Sequence, residues 1–315
     1  MTRKKKIVVT GATGFIGAHI ARRLVKRGDN VILLVRSVSR MDRVSDILEK
    51  VSCVETDFLN LDLLASQFAD IKPDGIVHLA TSNIMSGVTA ADEDVIATNF
   101  IGTKNLIDAA VTSGADFFIN TGSFLEYGLK DRMVSEADRC DPTELYSITK
   151  LSGTLYGQAI ARQKDIAVVT LRIFTPYGPG IQPGRLVRVI IENALAEQDI
   201  KLSGREVSRD FLFIDDLVDL YEEVIERPTE HSGEVFNAGS GVSVTLKTLT
   251  ENVLGITSSG SAVHWGAFPL TAYDRAAWRA DMKKTFASFS WRPRFDLSQG
   301  IRETVDWLKQ NEKKA

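Results

Sequence analysis

Cysteine is scarce in this chain. Only Cys53 and Cys140 occur in 315 residues, without the spacing of a disulfide framework or of a metal site. A reducing, cytoplasmic setting is the expectation. No run of 18 apolar residues exists, so no membrane span is expected. The basic run Arg3 to Lys6 is followed by no apolar segment and reads as a solvated tail rather than a targeting signal. An excess of either charge is also lacking. The 38 Lys and Arg and 41 Asp and Glu leave a formal net charge of -3, which argues against nucleic acid or a membrane surface as partner. There is no internal repeat and no low-complexity tract. His78 has no second histidine or carboxylate to complete a metal set, so no metal is expected.

What is present is a composition of 44% hydrophobic and 25% charged residues, enough for one large or two interleaved α/β lobes. The first motif, Thr-Gly-Ala-Thr-Gly-Phe-Ile-Gly at 10 to 17, follows the apolar run Ile7 to Val9 and leads into a helical pattern through Ile20 and Leu24. That is strand, tight turn, helix. Gly11, Gly14 and Gly17 allow a sharp turn, close approach of a pyrophosphate and packing of helix on strand. The loop and first turn, Gly11, Thr13, Gly14, Phe15, Ile16 and Gly17, are candidates to hold a dinucleotide's phosphates.

The helix is expected to stop at Gly28, with Lys26 and Arg27 against the negative end of its dipole. Val31 to Val35 reads as a strand buried on both faces. An acid often ends this strand in NAD-binding folds, where it binds a ribose 2′-hydroxyl. Here the residue is Arg36, with Ser37, Arg40 and Arg43 nearby. These could hold a 2′-phosphate, which favours NADP(H) and leaves NAD(H) possible; they could also be a solvated basic loop. Later strands are expected at Val51 to Thr56 and Gly75 to Leu79. Their exits, Asp57 with Phe58 and Leu79 with Ala80 and Thr81, are placed to touch a cofactor. His78 reads as a satisfied core residue. A helix is predicted over 94–113, with Asn99 inside it and free to be exposed. Phe117 to Asn120 is a fifth strand, and Ser123 stands past its carboxyl end.

Asp141, Pro142 and Glu144 predict a helix start. Tyr146 and Lys150 then lie four apart on one face. A tyrosine titrates near ~10 unaided, and a fixed ammonium beside it stabilises phenolate. Ile166 to Phe174 is a sixth strand. From Thr175 the chain turns rich in proline and glycine and reads as an exit to a smaller lobe. The expected division is 1–174 with about 210–240 for the dinucleotide domain, and 175–209 with 241–315 for substrate. Trp265, Trp278, Trp291 and Trp307 all fall in the last segment, with core as their default role.

This order resembles the extended short-chain dehydrogenase/reductase family, in particular its nucleotide-sugar epimerase, dehydratase and ketoreductase branch. The resemblance covers nearly the whole chain. It rests on the glycine motif, Asp57, His78-Leu79-Ala80, Asn99 with Gly102-Thr103, Ser123 five before Gly128, Tyr146 to Lys150, Leu171-Arg172 with Tyr177-Gly178-Pro179, and Arg209-Asp210-Phe211. It implies a Rossmann-type doubly wound parallel sheet with a smaller α/β substrate lobe. It also implies Asp57 on the adenine, Lys150 on the nicotinamide ribose, Ser123 and Tyr146 on the reacting oxygen, Arg209 on the nucleotide-sugar diphosphate, and a homodimer through the helices carrying Asn99 and Tyr146. Thr175, Arg185 and Arg275 are further candidate substrate contacts.

Departures from the family narrow the expectation. Dehydratases of this branch carry an Asp-Glu pair after the catalytic hydroxyl, where this chain has Phe124 and Leu125. The asparagine usual after the sixth strand is Thr175. The expected activity is NADPH-dependent reduction of the 4-keto group of a nucleotide-linked deoxysugar. The alternatives are a nucleotide-sugar epimerase with tightly bound NAD, a reductase of a non-nucleotide ketone, and a non-catalytic dinucleotide sensor.

Overall fold

Apolar runs build a sheet whose strands are buried along most of their length, apart from the edge strand Ser52–Glu55. The computed structural model describes residues 4–38, 41–82 and 91–312; Arg3 and Arg40 lie outside them. Contacts divide the chain into two units. The first comprises Met1–Gly128, Cys140–Arg172 and Leu220–Phe236, and the second Leu129–Arg139, Ile173–Asp219 and Asn237–Ala315.

In the first unit, β1 (Lys6–Thr10), β2 (Asn30–Val35), β3 (Ser52–Glu55), β4 (Gly75–His78), β5 (Phe117–Ser123) and β6 (Ala167–Ile173) join the strand Val235–Ala238 in a seven-stranded sheet. The spatial order is Val235–Ala238, β6, β5, β4, β1, β2, β3. The pairings of β5 with β4, β4 with β1, β1 with β2 and β2 with β3 are parallel. The order reverses between β1 and β4, so a crevice opens at their carboxyl ends. Helices α1 (Phe15–Arg27), α2 (Leu61–Ile71), α3 (Asp92–Ile96), α4 (Thr103–Ser113) and α5 (Leu145–Gln163) complete the layers. Leu64 and Phe68 of α2 and Leu106 and Ile107 of α4 bury against Val8, Ile76 and Phe118 of the sheet.

Two of the motif glycines are required by contact. Gly11 has φ 69°, and a Cβ there would stand 2.6 Å from the Ala80 nitrogen. A Cβ on Gly17 would stand 2.2 Å from the Gly11 oxygen. The glycines therefore let the exit of β1 lie against the exit of β4, and let α1 lie on the loop. The helix stops at Gly28, whose N–H bonds the carbonyls of Leu24 and Val25.

The structure departs from the sequence reading at two helices. The helix expected over 94–113 begins at Asp92 and contains a π-helical turn over Ala97–Gly102. Asn99 sits inside that turn and is buried, not exposed. Its Oδ1 accepts from the Thr81 hydroxyl at 2.9 Å and the Ser82 N–H at 2.7 Å. Its Nδ2 donates to the Ser82 carbonyl at 2.9 Å and the Thr149 hydroxyl at 3.3 Å. The wide turn brings this amide inward, and wide turns of this kind are frequent at functional sites. The second departure is at Asp141 and Pro142, which do not start α5. The helix begins at Leu145 with Glu144 at its N-cap. Asp141 instead crosses over Gly128, donating its N–H to the Tyr127 carbonyl at 3.2 Å; a Cβ on Gly128 would meet the Asp141 oxygen at 2.0 Å.

The second unit contains β7 (Thr175–Tyr177), β8 (Ile200–Leu202), β9 (Ser208–Phe213), the last two residues of β10 (Val235–Ala238), β11 (Ser243–Thr245) and β12 (Val263–Trp265). A three-stranded sheet has the order β11, β9, β7, and β8 pairs with β12. Thr175 therefore starts a strand rather than a loop. The helices are α6 (Leu186–Leu195), α7 (Ile214–Glu226), whose last turns belong to the first unit, α8 (Leu246–Thr257), the short α9 (Ala272–Arg275), α10 (Lys283–Ser288) and α11 (Leu297–Glu312). Asp210 is buried and accepts from the N–H groups of Ser240, Gly241 and Ala280. Val134 bridges Ala280, and the Asn237 side chain bonds the carbonyls of Val134 and Asp281. These bonds group 129–139, 210–219 and 237–240 with the second unit, whereas the sequence reading had assigned them to the first. Trp278 and Trp291 are core residues; Trp265 and Trp307 are half-buried.

Replacing Asn99 with Ala leaves the Ser82 amide and the Thr81 and Thr149 hydroxyls without their buried partner. The expected cost is about 1–3 kcal/mol, measured by denaturant unfolding. An unchanged midpoint would remove Asn99 as the anchor of the chain leaving β4.

Candidate active site

The N-terminus of α1 is built to receive an anion. Its N-cap is Gly14, no side chain caps it, and its first turn holds no acid. The amides of Phe15, Ile16 and Gly17 have no carbonyl to bond within the helix, and the helix dipole adds a positive field. Thr13 stands in the same loop. This loop fits a dinucleotide pyrophosphate.

Beside it, the Thr10 hydroxyl and His78 Nδ1 are 2.8 Å apart, and Thr10 Oγ1 accepts from the N–H groups of Leu79 and Ala80 at 3.2 and 3.1 Å. His78 Nε2 lies 2.9 Å from Thr103 Oγ1, whose proton goes to the Asn99 carbonyl at 2.8 Å. The network thus assigns the tautomer: Nε2 carries the hydrogen and Nδ1 accepts from Thr10. Burial, aided by the charge of Lys150, pushes the His78 pKa down to about 3. His78 is the satisfied core residue the sequence led us to expect.

Ser123 ends β5 and is 7% exposed. Its Oγ accepts from the Leu125 N–H at 3.2 Å, and its own N–H donates to Glu126 Oε1 at 2.8 Å, a capping box over the turn Phe124–Tyr127. Tyr146 is the second residue of α5 and half-buried; Lys150, one turn later, is buried. Burial pulls the Lys150 pKa down to about 8, against the opposing charge of Glu126. The ammonium is therefore retained at neutral pH.

The remaining candidates of the first unit lie along the strand exits. Arg36 is exposed directly after β2, and Asp57 is exposed two residues after β3, its neighbour in the sheet. Arg43 is half-buried. The Phe58 side chain is buried in the core, and its carbonyl accepts from Asn105 at 3.0 Å. Leu79, Ala80 and Thr81 adjoin the glycine loop, and Asn99 holds Thr81.

In the second unit, Thr175 pairs opposite Phe211 on β9, two residues from Arg209. Arg209 donates to Asp274 at 2.9 Å and to the Ser208 carbonyl at 2.8 Å, beside the exposed Arg275. Arg185 is half-buried at the N-cap of α6, and no described contact ties it to the other three. Among the described residues, no group of three His, Cys, Asp or Glu could hold a metal ion, and no helix is long and apolar enough to cross a membrane.

Residues 7–239 match the model of the NAD dependent epimerase/dehydratase family. The chain belongs to this family. CDP-abequose synthase of Salmonella typhimurium is 30% identical over 97% of this chain and 99% of its own length. The UDP-glucose 4-epimerase of Thermotoga maritima, solved with UDP-glucose, superposes with a TM-score of 0.89 at 25% identity, covering 97% of this chain and 99% of that one. The UDP-glucuronic acid 4-epimerase of Bacillus cereus, solved with UDP-glucuronic acid and NAD, has a TM-score of 0.87 at 26% identity with the same coverage. The expected family and fold both hold: this is an NAD(P)-dependent enzyme of the extended short-chain dehydrogenase/reductase type, in the branch that modifies sugar nucleotides.

Sequence reasoning passed over Glu126. Its signal was nonetheless legible, because Ser123 and Glu126 have the Ser-x-x-Glu spacing of a capping box.

His78 carries a pH prediction. Unfolded, it binds a proton near ~6.5; folded, it stays neutral down to about 3. The unfolded state binds more protons in that window, so stability falls as pH drops through it. His78→Gln is expected to show a shallower fall between these two values in thermal denaturation, whatever its stability at pH 8. An equal slope would mean the acid response comes from other groups.

Proposed function

We propose that this enzyme reduces the 4-keto group of a nucleotide-linked deoxysugar with NADPH. The observation that carries the reading is Arg36, exposed at the exit of β2 where an acid would bind a ribose 2′-hydroxyl. A guanidinium there favours a 2′-phosphate. NADPH suits a net reduction, whereas an epimerase regenerates its own cofactor. Dehydration is disfavoured by Leu125, which is buried, and Phe124, which is half-buried, in place of an acid and a base. The Salmonella relative, named for a CDP-linked sugar, agrees with a nucleotide-sugar substrate.

A dinucleotide held by the glycine loop would supply the hydride, which adds to the carbonyl carbon of the substrate. Ser123 donates a hydrogen bond to the substrate carbonyl oxygen. Tyr146 gives that oxygen its proton, and the Lys150 ammonium stabilises the phenolate left behind. Arg209, with Thr175, Arg185 and Arg275, is the proposed binding set for the nucleotide sugar, with the diphosphate replacing Asp274 as the partner of Arg209.

A second reading, 4-epimerisation with tightly held NAD, is favoured by the two solved relatives, both 4-epimerases and one carrying NAD. One assay separates them. The purified protein is offered NADPH or NADH with CDP-, UDP- and dTDP-linked 4-keto-6-deoxyhexoses. Reduction predicts NADPH consumption, weakened by Arg36→Ala and lowered at least ~10²-fold by Tyr146→Phe with NADPH affinity retained. Release of NAD on denaturation, with interconversion of 4-hydroxy sugars and no net NADPH use, establishes the epimerase instead.

Arg209→Ala is expected to raise the KM for the nucleotide sugar by about 10–100-fold, as loss of a charge-assisted bond would, with a smaller change in kcat. A KM unmoved by Arg209→Ala points to a ketone without a diphosphate. For assembly we propose a homodimer through α3, the π-helical turn, α4 and α5; Ile96 of α3, Ile101 of the turn and Ile148 and Leu155 of α5 are exposed. Sedimentation of the Ile148→Glu/Leu155→Glu variant as a monomer, beside a dimeric parent, is the expected result.

A further inference from the structure

Glu126 is fully buried, yet the reaction described above gives it no task. Its carboxylate draws together three elements. Oε1 accepts the N–H of Ser123, the last residue of β5, at 2.8 Å. Oε2 accepts the hydroxyl of Thr154, one turn beyond Lys150 on α5, at 3.0 Å, and Nε of Arg172 on β6 at 2.9 Å. The strand leaves space for it, since a Cβ on Gly122 would stand 2.7 Å from Oε1. Arg172 is fixed in turn, 4.5 Å over the Tyr127 ring and donating to Cys140 Sγ at 3.0 Å. A buried ion pair is a poor source of stability, because desolvation offsets most of its attraction and an apolar filling serves as well. The constellation calls for another explanation than stability.

We infer that Glu126 is a positioning residue: its one carboxylate fixes the Ser123 backbone relative to the helix that carries Tyr146 and Lys150. It rests on the reading of those three as the reacting groups. The same carboxylate sets a negative charge beside Lys150. His78 of β4 also faces that ammonium and is neutral, and Arg172 of β6 is paired with Glu126 itself. Without Glu126, only burial acts on the lysine, and its pKa falls further.

The test uses the full chain with 13Cε-labelled lysine, and the Lys150 resonance is assigned from Lys150→Arg. This titration needs no substrate. Glu126→Gln is expected to lower the Lys150 midpoint. With a 4-keto sugar nucleotide that the parent turns over, it is expected to lower kcat about 10–100-fold and to move the alkaline limb of the kcat profile to lower pH. Both KM values are expected to stay within about threefold, as when an interaction of the transition state alone is lost. Because Glu126→Gln strands the Arg172 charge, Glu126→Gln/Arg172→Gln is measured beside it and should show the same low midpoint. An unmoved midpoint in these variants, or a moved midpoint with unchanged kcat, overturns the inference. If the parent reduces no keto sugar, the reaction reading fails while the lysine titration still decides the role of Glu126.

Discussion

The hydroxyl of Thr10 donates to His78 and accepts two amides from the chain leaving β4, and as the last residue of β1 it fixes where the glycine loop begins. From it a continuous line of buried polar groups runs through His78, Thr103 and the backbone of Asn99, and from the Asn99 side chain to Thr149 on α5. Every link has a donor matched to an acceptor, which rigidifies such a network, whereas a half-satisfied one would be a liability. The cofactor-facing loop and the helix of Tyr146 and Lys150 are in this way parts of one hydrogen-bonded frame. The neutrality of His78 is essential to it, since a protonated ring would present a second donor to the Thr10 oxygen and break the direction of the chain.

Much of this frame could be read from the residues because it follows local rules. The apolar runs became parallel strands, Gly28 and Gly114 closed α1 and α4 in left-handed conformations, and the glycine motif lay between β1 and α1. What could not be read depends on partners distant in the chain. Asp141 and Pro142 have the chemistry of a helix start, but Gly128 and the Tyr127 carbonyl claim that backbone, and tertiary contact outweighs a local capping preference. Asn99 has no local reason to be buried; its partners are 17 and 50 residues away. The helix α2 escaped notice, since exposed Leu61 and Leu63 blur the periodicity set by buried Leu64 and Phe68. Glu126 carried a readable cap signal, whereas its bonds to Thr154 and Arg172 required the fold.

The comparisons separate what the architecture decides from what single positions decide. Backbones superpose closely at about a quarter identity, so the sheet and its helices come with the fold. In the proposed reading, cofactor choice and reaction type turn on single side chains, at 36, 124, 125 and 175, rather than on the fold. The site also balances two opposed effects on one lysine. Burial strips the Lys150 ammonium of water, and a carboxylate three elements deep returns part of the lost stabilisation. The result is a lysine whose pKa is pulled down to about 8 and that still stands as an ammonium at neutral pH.

The crossing of Asp141 over Gly128 has a consequence for how such a chain can change. The backbone leaves the first unit at Gly128 and re-enters at Cys140, and the bond from the Asp141 N–H to the Tyr127 carbonyl ties the two ends together. The segment between them is a closed excursion with a fixed neck. Doubling the length of such a loop adds only about 0.6 kcal/mol of closure entropy. The far side of the excursion is held as well, since buried Val134 bridges Ala280 and its carbonyl accepts from Asn237. A change of length therefore fits only between that anchor and the neck, where the neck keeps it from the register between Ser123 on one side and Tyr146 on the other.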